Sequence, residues 1–287
     1  MRALVTVLGL LVTVVACGRE PEADIYQLKG QVLFVRAASR EILVKHEDIP
    51  GFMPAMSMTY TVKDPAVLDG VAAGDVITAT LHVSDTLGWL SDIVKTGTAP
   101  IEPGSPTKIP AAAGVHVLQP GDEAPVTTLT GQDDQPLSLA SWRGTAVAVT
   151  FIYTRCPLPQ YCPLLDRRFA EVQALAEADP ALKGRVRLLS VSFDPAVDTT
   201  ALLRAHAGRL KADPSVWSFA VAPEETVDRF AAQFGVNVIR EADQTITHNL
   251  RTAVIDPAGK VTVIRDSNEW TAEQLAGDLR RALGRQQ

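Results

Sequence analysis

Cysteine is scarce: three occur in 287 residues, far too few to staple a small disulfide scaffold. They stand as Cys17 alone and as the pair Cys156 and Cys162, so they need separate explanations. Basic charge is also in deficit, with 27 Lys and Arg against 33 Asp and Glu. The cations are scattered without a dense cluster, which excludes nucleic acid as the main partner. Apolar runs long enough to cross a bilayer are missing, so a polytopic membrane protein is excluded as well. Internal repeats are absent. The rest is ordinary: 46% hydrophobic and 21% charged residues match average globular usage, which rules out wholesale disorder. The length suits one large domain or two of usual size, and two is the working expectation.

Met1 and Arg2 precede an apolar or small run from Ala3 to Ala16, and Cys17 follows. A charged start, an apolar core and a small-residue zone make an export signal over residues 1–16. The run is shorter than the roughly 20 residues a spanning helix needs, which disfavours the alternative of an uncleaved anchor. Val14-Val15-Ala16-Cys17 resembles the bacterial lipobox, which implies lipid attachment at Cys17 and a membrane-tethered protein on the periplasmic face.

From Ile25 to about Lys95, five short alternating segments are separated by Gly, Pro, Asp and Ser signals: Leu28 to Val35, Glu41 to His46, Met58 to Val62, Val76 to Val83 and Trp89 to Lys95. These predict a small all-β barrel of oligonucleotide-binding type over residues 24–96. Residues 97–119, rich in Pro, Gly and Ala, read as a semi-rigid linker. Over residues 120–287 the order is β-α-β-α-β-α-β-β-α. A helix from about Pro163 carries Leu165, Phe169, Val172 and Ala176 on one stripe, and a capping box of Thr271 and Gln274 opens the last helix. A strand, a turn with two cysteines, a helix and a late hairpin predict an α/β thioredoxin-like domain.

Cys156 and Cys162 follow an almost wholly apolar strand and enter a helix, where the positive end of the helix dipole favours thiolate. Two converging thiolates suit Cu(I) and also cycle to a disulfide. A plain stabilising disulfide remains the alternative. Three of the four methionines fall in Met53-Pro54-Ala55-Met56-Ser57-Met58. Met56 and Met58 share a strand face, and His46 ends the preceding strand where it can pair across with them. Thioethers and an imidazole are soft ligands suited to Cu(I) or Ag(I). A flexible apolar plug for the barrel end is the alternative. His248, as a lone loop histidine, carries little signal by itself. His82 and His116 carry no partner signal, and His206 on an amphipathic helix reads as structural.

Two resemblances sharpen these readings. Phe151 to Pro157 with Cys162-Pro163, then Ser190 to Pro195 with Asp198-Thr199, then Thr247-His248-Asn249 ahead of Val254 to Lys260, resemble the Sco/SenC family of copper-delivery proteins. That resemblance implies one copper site with Cys156 and Cys162 as thiolate ligands and His248 as imidazole ligand. It further implies a role in assembling the binuclear copper centre of cytochrome c oxidase. His46 to Met58, followed by Gly74-Asp75-Val76, resemble the periplasmic copper-binding barrels of copper and silver efflux systems, which implies a second Cu(I) site at His46, Met53, Met56 and Met58. Two departures stand out. Five residues separate the cysteines where that family usually has three, so affinity and redox potential do not carry over. Met53 occupies the place of the tryptophan that commonly lids the barrel's metal.

The reading is an extracytoplasmic Cu(I) metallochaperone. Its expected partners are the oxidase subunit carrying the binuclear centre, other copper carriers or thiol-disulfide proteins, and the membrane through its lipid. The alternatives are a thiol-disulfide oxidoreductase in which Cys156 and Cys162 turn over as a redox pair, and a passive copper buffer.

Overall fold

The computed structural model describes residues 23–37, 40–53, 55–84, 88–102, 115–240 and 246–284. The export signal, Cys17, Pro54 and most of the Pro-rich linker lie outside the described residues. Among those described, no helix is long and apolar enough to cross a membrane.

The N-terminal part is a closed five-stranded barrel of β1 (Asp24–Arg36), β2 (Glu41–His46), β3 (Met56–Val62), β4 (Asp75–Val83) and β5 (Gly88–Thr98), in the order β1-β2-β3-β5-β4. Alternation decides which side chains point in. Leu28 and Val32 of β1, Ile42 and Val44 of β2, Met58, Tyr60 and Val62 of β3, and Ile77, Ala79 and Leu81 of β4 form its core. Closure is narrow, because β3 meets β5 in parallel only at Thr61–Trp89 and Val62–Leu90. The lower half of β3 therefore has an open edge on that side. Its strand begins two residues earlier than the sequence pattern suggested, since Met56 and Ser57 pair with His46 and Lys45.

The C-terminal part is a seven-stranded sheet. Its strands are β6 (Leu129–Gly131), β7 (Pro136–Leu137), β8 (Ala146–Ile152), β9 (Val186–Ser192), β10 (Trp217–Val221), β13 (Arg251–Ile255) and β14 (Val261–Asp266), in the order β14-β13-β8-β9-β10-β6-β7. β8, β9 and β10 run parallel, and the flanking strands are antiparallel. Every residue of β8 is buried, as expected of a strand covered on both faces. On one face α1 (Cys162–Ala178) meets α4 (Ala272–Gly284), and Phe169 of α1 packs on Trp217. His206 of α2 (Thr200–Arg209) joins them through Asp166 of α1 at 2.8 Å. On the other face Phe151 of β8 meets Phe230 and Phe234 at α3 (Glu224–Gln233). The expected capping box is present, with Thr271 and Gln274 bonded reciprocally at 3.0 and 3.3 Å.

Two features escaped the sequence pattern. The β6–β7 hairpin and a separate two-stranded hairpin, β11 (Val238–Arg240) with β12 (Ile246–His248), are only two or three residues per strand. Strands that short carry no period to read. The β11–β12 hairpin leaves the sheet and lays β12 along β3 of the barrel.

Gly30 lies opposite His46 on the barrel's inner row. A Cβ there would meet the Lys45 carbonyl at 2.6 Å and the His46 Cα at 2.8 Å. We expect Gly30→Ala to destabilise the barrel by about 1–3 kcal/mol, read as a lowered urea midpoint at an unchanged slope; an unchanged midpoint would refute the close approach.

Candidate metal and thiol sites

Both sites grow from strand ends. β8 delivers its chain to a turn at Tyr153 to Cys156, at the carboxyl edge where parallel sheets hold their functional groups. That turn is fixed by Asp198, which is fully buried. Its carboxylate accepts from the Thr154 backbone N–H at 3.0 Å, from the Thr154 hydroxyl and from the Ser192 hydroxyl at 2.5 Å. Arg155 adds an ion pair to buried Asp194 at 2.6 Å.

The chain then runs through Pro157, Leu158, Pro159, Gln160 and Tyr161 to Cys162, the first residue of α1. Both cysteines are free thiols, Cys162 buried and Cys156 partly exposed. The two sulfurs are within hydrogen-bonding reach. Cys162 donates to Cys156, and this outweighs the opposing effect of burial. Backbone N–H groups of Leu158 and Cys162 and the Tyr153 hydroxyl add to it, bringing the Cys156 thiol down to about 7. Burial and the neighbouring Cys156 charge push the Cys162 thiol up. The pair is therefore divided into a nucleophile, the more exposed Cys156, and a proton-holding partner, the buried Cys162.

His248 ends β12. Its ring lies against Phe193 at 4.6 Å and edge-on to Tyr153 at 5.7 Å. Nδ1 faces the Asn249 carbonyl at 3.1 Å, which requires an N–H there and leaves the lone pair on Nε2. Burial lowers its pKa to about 4, so the imidazole is neutral in ordinary buffers. Tyr153 touches both His248, through its ring, and Cys156, through its hydroxyl. Among the described residues, no group of three or more His, Cys, Asp and Glu side chains is close enough to hold a metal ion.

In the barrel, His46 sits directly opposite Met56, with Val44 opposite Met58. The imidazole is 2% exposed, and its Nδ1 faces the Glu47 carbonyl at 2.8 Å. Nε2 is buried without a partner. Burial lowers the His46 pKa, so this nitrogen keeps a lone pair rather than a proton. Met53 and Met58 are buried in the same core, Met56 is partly exposed beside them, and the Tyr60 hydroxyl reaches the Met53 sulfur at 4.0 Å. A buried nitrogen without a partner among thioethers fits a soft cation better than it fits an apolar plug. Trp89 is no lid: it stacks on His82 at 4.8 Å, with Lys63 over its ring.

The remaining histidines are engaged elsewhere. His82 contacts Ser91, His116 pairs with Asp122, and His206 pairs with Asp166. Sequence reading passed over Tyr153, Leu158, Tyr161, Asp198 and Thr247 as working parts. Tyr153, Asp198 and Thr247 lay within motifs, and nothing in those motifs assigned them a task.

A layered sheet with a cysteine pair at the start of the helix after a central parallel strand defines a thioredoxin-like protein, here carried behind a small β-barrel. Residues 120–284 match the family model described as SCO1/SenC, and the chain belongs to that family. Residues 25–95 match the model described as copper binding periplasmic protein CusF. Among solved structures, a SCO1/SenC family lipoprotein from Bacillus anthracis is similar at 24% identity, covering 58% of this chain and 98% of its own, with a TM-score of 0.52. Arabidopsis thaliana ScoI with copper bound is similar at 15% identity, covering 58% of this chain and 99% of its own, with a TM-score of 0.50. These likenesses show the fold. A comparison with curated proteins finds no match.

Iodoacetamide should label Cys156 with a rate that rises through pH 7 and leave Cys162 untouched until the protein unfolds. Peptide mass spectrometry checks this, and equal labelling of the two would refute the division of roles.

Proposed function

We propose that this protein is an extracytoplasmic Cu(I) metallochaperone with two soft-donor sites, serving assembly of the binuclear copper centre of cytochrome c oxidase. One observation carries the copper reading: the buried, unpartnered Nε2 of His46 on the face shared with Met56 and Met58. A dithiol alone serves an oxidoreductase equally well, but an oxidoreductase has no use for a buried imidazole among thioethers.

In the barrel, His46, Met56, Met58 and Met53 would hold the ion, with Met53 in place of an aromatic lid. In the C-terminal domain, Cys156 and Cys162 would hold it as thiolates, and two-coordinate binding is acceptable to Cu(I). His248, whose Nε2 keeps its lone pair, would be drawn in as third ligand. The domains would be residues 24–96 and 120–287, joined by residues 97–119. Export followed by lipid attachment at Cys17 would keep the protein at the membrane, near an oxidase subunit and near other copper carriers or thiol-disulfide proteins.

The mature chain should bind two Cu(I) in an anaerobic titration against a chromophoric chelator. His46→Ala with Met56→Ala and Met58→Ala should lose one. His248→Ala should weaken the other while leaving reduction and oxidation of the Cys156–Cys162 pair intact. Equal copper affinity in the His248 variant would favour the oxidoreductase.

For the anchor, Cys17→Ser should release the protein from the membrane fraction or leave its signal uncleaved. Continued membrane retention with an unmodified N-terminus would refute the lipoprotein reading.

A further inference from the structure

The five residues between the cysteines do not loop into solvent. Leu158 is 5% exposed and belongs to the barrel's core, together with Met53 and Met58. Tyr161 and Cys156 pack against both cores. The open edge of β3 is covered from this side: the Tyr161 hydroxyl donates to the Thr59 carbonyl at 3.2 Å, and the Thr247 hydroxyl donates to the Ser57 carbonyl. Gln160 comes up beside Gly88 of β5.

These contacts join the two ligand sets. Ser57 lies between Met56 and Met58, and Thr247 precedes His248, so one hydrogen bond fastens the thioether strand to the imidazole strand. A cavity of about 30 Å³ at the seam is lined by Thr59, Thr61 and Gly88 from the barrel and by Tyr161, His248 and Asn249 from the other domain. It has room for a single water-sized species. Cys156 is the thiol that packs against both cores, whereas Cys162 packs only in the C-terminal one.

Resting on the copper reading above, we infer that the two sites form one relay, in which Cu(I) passes from the barrel to the cysteine pair inside a single chain, with Cys156 as the receiving ligand. The step is ligand exchange without redox change. Bonds from Cu(I) to the Met53, Met56 and Met58 thioethers and to His46 Nε2 break. Bonds to the Cys156 and then the Cys162 sulfur form, and the thiol protons leave to solvent. The ion stays Cu(I) throughout. Direction follows from ligand chemistry, since anionic thiolates hold a soft cation more strongly than neutral thioethers do.

The test uses the full mature chain. With Cys156 and Cys162 oxidised to a disulfide, one Cu(I) is loaded anaerobically. Excess phosphine then reduces the disulfide, and Cu(I)–thiolate absorbance is followed in the presence of bathocuproine disulfonate. The chelator is held at a level shown beforehand to leave copper in the Cys156→Ser, Cys162→Ser chain undisturbed. Expected is transfer whose rate does not change over roughly hundredfold dilution and from which the chelator captures almost nothing. Tyr161→Phe with Thr247→Val removes both seam hydrogen bonds while keeping side-chain volume, and should raise chelator capture about tenfold. If the barrel loads but the copper is captured, or the rate scales with chain concentration, the relay is refuted and the two-site reading stands. An oxidised chain that takes up no Cu(I) refutes the barrel site and the relay with it.

Discussion

The structure turns on one buried carboxylate. Asp198 gathers a backbone N–H and a hydroxyl from Thr154, at the end of β8, and a hydroxyl from Ser192, at the end of β9. A carboxylate sealed from water needs its oxygens bonded, and these three donors bind the ends of two parallel strands into one geometry. Everything downstream inherits that placement. The Cys156 turn follows Thr154 directly, Cys162 begins the helix that packs back on the sheet, and the loop between them projects toward the barrel.

The barrel in turn depends on what it lacks. Five strands close it only at the last two residues of β3, and the open lower edge of that strand would leave carbonyls without partners. Side chains of the thioredoxin-like domain meet them at Ser57 and Thr59. The extra length between the cysteines finds its use here. A shorter loop would have fewer residues to place both an apolar plug and a tyrosine hydroxyl against the neighbouring domain. Pro157 and Pro159, flanking Leu158, hold φ near its preferred value, so little conformational freedom is lost when the plug seats.

Much of this was legible in the sequence where periodicity or chemistry was strong. The apolar run of β8, broken only by Thr150, the stripe on α1, and the Thr271–Gln274 cap each obey a short-range rule, and each appears in place. His46 against Met56 was legible because antiparallel pairing brings a strand's end across from its neighbour's start. The seam was not. Tyr161 and Thr59 are 102 residues apart, and Thr247 and Ser57 are 190 apart. No local pattern encodes a contact between a side chain and a distant carbonyl. The contacts of Tyr153 with both His248 and Cys156 were equally hidden, since a motif names residues without saying which way they turn.

The open edge of β3 also bears on what happens when the two halves are parted. A barrel separated from its thioredoxin-like companion would present the Ser57 and Thr59 carbonyls bare, beside partly exposed Met56 and a core missing the Leu158 plug. Such an edge is a template for strand pairing, and two copies carry the same one. The second domain therefore covers an edge that would otherwise be open to pairing with another copy.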